Sequence, residues 1–203
     1  MADEVLLIRS LYRSGPGSLE KVDALKSTLL TKYANASPDE VGEICAELCM
    51  AMDNVSLRDQ SAAMTDKQSL AFMCLRDHMP STEIALRLAV YLRVGSPVDA
   101  ANPGQCLKLW LSVWKGLESE IDPEFDHEPP VTDRAGAEVI ERRNRQVEVR
   151  HQKRIYTGPY SRFLAAYIVQ QKYDVKAAQA FLAGATADEE LRRQILEMST
   201  LKK

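Results

Sequence analysis

The chain has 203 residues and a formal net charge of −3, with 29 acids set against 26 bases. Apolar residues make up 45% and charged residues 27%, close to the globular average, which excludes a disordered, collagen-like or membrane-spanning protein. A chain this long buries roughly 70% of its unfolded surface, so it needs no disulfide or metal to hold a core.

The first residues, MADEVLLIRS, place acids before the short apolar run Val5–Ile8. A secretory signal needs a basic start and a longer apolar stretch, and a spanning helix needs about 20 apolar residues. The expected location is therefore the cytoplasm, with no membrane partner. Residues 3–13 read as an amphipathic helix, ended by Gly15-Pro16-Gly17 because glycine and proline punctuate the chain. Ser18 is placed to cap a second helix with the stripe Leu19, Val22, Leu25, Leu29 and Tyr33, which follows helical spacing.

Ser37-Pro38-Asp39-Glu40 has the pattern of a capping box with proline at the first helical position. It predicts a third helix with Val41, Ile44, Cys45, Leu48 and Met52 on one side. Thr65-Asp66-Lys67-Gln68 repeats the capping logic and predicts a further start ahead of Leu70, Met73 and Cys74. Pro80 and Ser81 restart the chain before Ile84, Leu88, Tyr91 and Leu92. Beyond a Gly- and Pro-bracketed loop, Cys106, Leu107, Trp110, Val113, Trp114 and Leu117 form another stripe. The two tryptophans read as core rather than as a base-stacking platform, because tryptophan contributes so much buried area.

Residues 118–132 are acidic and Pro-rich and read as a loop, after which Thr132 is placed to cap a helix. Thr157-Gly158-Pro159 predicts a new start, followed by Tyr160, Phe163, Leu164, Tyr167 and Ile168. Val175, Ala178, Phe181 and Leu182 continue the pattern. Thr186-Ala187-Asp188-Glu189 is a further capping box, before Leu191, Ile195 and Met198. Val147-Glu148-Val149 alternates, with Ile155-Tyr156 beyond, which leaves a short hairpin open near 147–156. The expected fold is all-α, a compact bundle of nine or ten short amphipathic helices. Along the chain these divide into an N-terminal helical core (1–117), the acidic loop (118–132) and a basic helix with C-terminal helices (133–203), within one continuous domain.

The least random feature is a switch of charge. Residues 118–128 carry six acids and no base, while 142–154 carry six bases and the single acid Glu148. Taken as a helix at about 100° per residue, 133–155 is tripartite. Ile140, Val147, His151 and Ile155 form a narrow apolar seam expected to face the core. Arg142, Arg143, Arg150, Lys153 and Arg154 form a basic arc expected to face water, and Glu141 and Glu148 flank the seam. Arginine grips phosphate oxygens bidentately, so Arg142, Arg143, Arg145, Arg150, Lys153 and Arg154 are the candidate nucleic-acid contacts. The competing reading is a solvated face, or one that pairs with the acidic loop and stays masked until a partner displaces it.

No phosphate loop, Gly-x-Ser-x-Gly or His-Glu-x-x-His motif is present. Cys45, Cys49, Cys74 and Cys106 read as small apolar core residues. His78, His127 and His151 do not pair with them at metal-ligand spacing. Cys74 and His78, four apart, read as a packed thiol beside a surface histidine. The sequence thus predicts no catalytic residue, cofactor or metal. It predicts a non-enzymatic structural protein that binds RNA and self-associates, of nucleocapsid or coat type, with apolar helices at both ends available to neighbouring copies. The alternative is a helical adaptor or scaffold whose arginines face an acidic protein partner.

Overall fold

The computed structural model describes residues 1–13, 15–102, 104–125, 136–170, 183 and 188–200. They form nine helices: α1 (Ala2–Arg13), α2 (Leu19–Lys32), α3 (Pro38–Asp53), α4 (Gln60–Asp77), α5 (Thr82–Ala89), α6 (Pro97–Ala101), α7 (Gln105–Ser119), α8 (Ala137–Gln170) and α9 (Glu189–Thr200). The chain divides into two compact units, Met1–Trp110 and Leu111–Lys203, with the division inside α7. The all-α expectation holds. Among the described residues no helix is long and apolar enough to cross a membrane.

In the first unit, α3 is the central helix. It packs against α4 most extensively and also against α1, α2 and α5. Its start is the capping box read from the sequence: the Glu40 amide donates to Ser37 Oγ, and the Ser37 amide donates back to the Glu40 carboxylate. Val41, Ile44, Cys45, Leu48, Cys49 and Met52 are all buried, as burial on most sides of a helix requires. Gly42 is a point of close approach. A Cβ there would meet the Pro80 side chain at 2.6 Å and Ile84 at 2.8 Å, so the α4–α5 corner lies directly against the α3 backbone.

A carboxylate sits in this core. Glu47 is only 2% exposed. Arg9 of α1 donates to it from Nε and Nη2 at 3.0 and 2.7 Å, and the Tyr12 hydroxyl donates at 3.0 Å. Arg87 of α5 donates from Nη2 at 2.8 Å and spends Nη1 on Glu43 at 2.6 Å. One side chain thereby ties α3 to both α1 and α5. Burial pushes its carboxyl pKa up, but the hydrogen bonds from Arg9 and Tyr12 and the charges of Arg9 and Arg87 outweigh that and hold it low.

Two expected helix starts are corrected, and the hairpin left open is not formed. Thr65 lies inside α4, which begins at Gln60 behind Asp59; the good helix formers Gln60, Ala62, Ala63 and Met64 carry the helix upstream. The hairpin near 147–156 is absent: those residues are helical within α8, where Arg, Gln, Glu and Lys favour helix and, among the described residues, no strand is available to pair. Thr157-Gly158-Pro159 starts nothing, because α8 runs straight through Pro159. The lost backbone bond costs about 3 kcal/mol, which the buried side chains on the C-terminal half and the packing of α9 against α8 offset. At α9 the cap is Asp188, whose Oδ1 accepts from the Leu191 amide at 2.9 Å; Thr132, Val175, Ala178, Phe181, Leu182 and Thr186 fall outside the described residues.

Glu47→Ala should lower the unfolding free energy by about 3 kcal/mol at pH 7, the lower end for breaking a buried pair, because Arg9 and Arg87 are half-buried and regain some water. A carboxyl held low in the folded state stabilises above its unfolded pKa of about 4.3 and loses that contribution as pH falls through the folded value. Urea titrations should therefore show the gap between native protein and variant shrinking below about pH 4; a gap independent of pH would refute the assignment.

Candidate nucleic-acid interface

The candidate contacts lie on α8, which at 34 residues extends about 50 Å. Its inner face is not the predicted one. Ile140 is 43% exposed, Val147 55% and Ile155 53%, and His151 is exposed as well. Buried instead are Gln146, Val149, Tyr160, Leu164 and Tyr167, with Arg150 and Lys153 half-buried. On the helical wheel these fall at roughly 180–280° from Ile140, which is where the basic arc was placed. The helix is turned so that much of its basic side faces protein, and the apolar seam faces water.

What the basic side meets is the acidic segment just upstream. Arg145 pairs with Glu120, and Lys153 Nζ lies 3.5 Å from Glu118 and 4.0 Å from Asp188. Gln146 clasps the chain from both sides: its Nε2 donates to the Glu120 carbonyl at 2.8 Å, and its Oε1 accepts from the Asp122 amide at 2.8 Å. Arg150 Nη2 donates to the Asp122 carbonyl at 2.9 Å. The Phe125 ring meets two guanidinium groups, Arg143 at 5.4 Å and Arg150 at 5.0 Å from its centroid, in cation–π geometry. Asp126 and Glu128 fall outside the described residues.

Deeper along α8, Tyr160 stacks on Trp114 of α7 with ring centroids 4.4 Å apart and planes 8° from parallel. Lys153 Nζ lies 5.5 Å from the Trp114 ring. Burial, with the Glu118 charge nearby, pushes the Tyr160 phenol up. Trp114 and Trp110 are both buried, and Trp110 Nε1 donates to the Leu92 carbonyl at 3.3 Å. Their core reading holds.

The six candidates are therefore in unlike states. Arg145 and Lys153 are in ion pairs, Arg150 and Arg143 flank Phe125, and Arg142 and Arg154 are exposed. They do not form one continuous outward arc. Sequence reasoning missed Gln146 and Phe125, although Gln146 lies in the middle of the basic arc on the wheel.

The cysteines offer no activated nucleophile where shifts are resolved. Contact with Cys74 and burial push Cys45 up, burial pushes Cys49 up, and burial with Asp99 raises Cys106 to about 11. Cys45 and Cys74 line a cavity of about 290 Å³ with Leu30, Tyr33, Met73 and His78. Comparison with protein-family models, with curated proteins and with solved structures found no match.

In the native protein, iodoacetamide at pH 7.5 should label all four thiols far more slowly than in urea. For Cys106, a rise from 9.0 to about 11 cuts the thiolate about a hundredfold, before burial slows access further. Rapid native labelling of any one cysteine would contradict this and reopen a thiol-dependent activity.

Proposed function

We propose that the chain is a non-enzymatic structural protein that binds RNA through phosphate contacts and associates with copies of itself, as nucleocapsid and coat proteins do. The observation that supports the RNA reading best is how the basic helix is occupied. Arg145 pairs with Glu120 of the adjacent segment in a contact open to water, at 43% and 30% exposed, while Lys153 is half-buried near Glu118 and Asp188. An exposed pair contributes only about 0–1 kcal/mol, so a chain of phosphates competes with the Arg145 pair effectively. Arg154, exposed on the same helix, gives it a first foothold. The acidic segment then acts as a mask that RNA displaces. Self-association draws on the exposed row Ile140, Val147 and Ile155 and on Leu6 and Leu7 of α1, which are also exposed.

The second reading is a helical adaptor for another protein, with an acidic partner on the same cations. The exposed apolar row of α8 favours it, because a phosphate backbone gains nothing from apolar contact.

Filter binding of single-stranded RNA separates them. Retention at low salt should fall steeply as salt rises. Neutralising the mask with Glu118→Gln and Glu120→Gln should tighten binding severalfold. Arg142→Glu with Arg154→Glu should weaken it and reduce the salt slope by about 1.4, for two lost contacts at ~0.7 each, with helicity by circular dichroism unchanged. No retained RNA at low salt would reject the RNA reading and leave the adaptor.

A further inference from the structure

Within the first unit, a cavity of about 410 Å³ is lined by Met52, Asp53, Gln60, Ser61, Met64, Lys67 and Arg93. Small-molecule sites run from roughly 300 to 1,000 Å³, so its size is ordinary for one. Its charge is not. Two cations and one carboxylate face the same space, a net excess of one positive charge in a partly desolvated setting.

The cations differ in a telling way. Lys67 is 8% exposed, pairs with Asp53 and lies 5.5 Å from the Tyr91 ring centroid. Burial, and then the Arg93 charge, push its ammonium pKa down. Arg93 is exposed and, among the described residues, its guanidinium makes no ion pair or hydrogen bond. A guanidinium carries five donors and no acceptor. Arg93 thus keeps an unspent fork beside a buried ammonium that its own charge destabilises, and an anion seated between them would relieve that repulsion. Ser61 and Gln60 add neutral donors on the adjacent first turn of α4, while Met52 and Met64 give one side an apolar lining.

We propose that this cavity binds a phosphate group, carried by a small phosphorylated molecule or by an RNA backbone. A tetrahedral anion with several acceptor oxygens can take the Arg93 fork, the Lys67 ammonium and the Ser61 hydroxyl together, whereas a planar carboxylate presents only two oxygens. Asp53 opposes the anion. It is 37% exposed, so it can turn to water and yield Lys67 to the ligand. The site lies within the first unit and does not rest on the masked-interface reading.

Calorimetric titrations of the full chain should use inorganic phosphate, adenosine 5′-monophosphate and a single-stranded RNA oligomer in parallel. Arg93→Gln should weaken the bound species about tenfold or more, the range for a charge-assisted bond. Asp53→Asn should tighten it, because the internal competitor loses its charge. Both side chains are exposed, so circular dichroism should show the fold retained. Binding of phosphate or the nucleotide assigns a small phosphorylated ligand, and RNA binding alone, lost in Arg93→Gln, assigns the backbone. The proposal is overturned if none of the three binds, if binding ignores Arg93→Gln, or if Asp53→Asn weakens it.

Discussion

A buried carboxylate in the middle of α3 fixes what can lie beside that helix. Glu47 is buried, so its charge is tolerable only while Arg9, Tyr12 and Arg87 reach it. Removing a carboxylate from water costs several kcal/mol, and no single partner at this site offsets that. The requirement therefore acts on three helices together. α1 must present one face at a fixed register, α5 must bring Arg87 in from the other side, and α3 must keep the rotation that points Glu47 between them. Apolar packing alone would leave those registers freer, since hydrophobic contact is not directional.

The second unit shows how far periodicity alone can mislead. Ile140, Val147 and Ile155 make a self-consistent seam only for a helix that ends before Thr157-Gly158-Pro159. Carried through Pro159 at the same pitch, Tyr160, Leu164 and Tyr167 fall on the side of Val149 and Gln146, roughly opposite Ile140. The larger aromatic and aliphatic side chains bury more area and decide the orientation of the whole helix. Proline inside a helical pattern most often marks a break, whereas here tertiary packing keeps the helix going. The rest of the fold was legible where a local signal had a local cause, as with the Ser37–Glu40 box and the stripes of α3 and α7. The Glu47 cluster was illegible, because its partners are some 40 positions apart and no spacing rule connects them.

The charge switch was legible as a feature and not as a geometry. Acids at 118–122 and bases at 145–153 lie some 20–30 residues apart, and the loop-closure cost of bringing them together grows only slowly with that separation. Gln146 and Phe125 then convert a diffuse attraction into a fixed arrangement. Gln146 meets two backbone groups of the acidic segment, and Phe125 offers its face to two guanidinium groups. A net charge near neutrality thus reflects an internal settlement between neighbours along the chain.

Pro159 has a consequence for how the protein opens. Without an amide hydrogen it cannot reach the Ile155 carbonyl, so one rung of the α8 ladder is missing between two unequal halves. The half beyond it carries Tyr160, Leu164, Tyr167 and Ile168 into the core. The half before it is anchored by Val149 and by polar contacts to the acidic segment. Fluctuations that fray the first half need not propagate past the missing rung. Residues 137–158 and 160–168 thus differ in what holds them: polar contacts to the acidic segment before the missing rung, and burial with the aromatic stack on Trp114 beyond it.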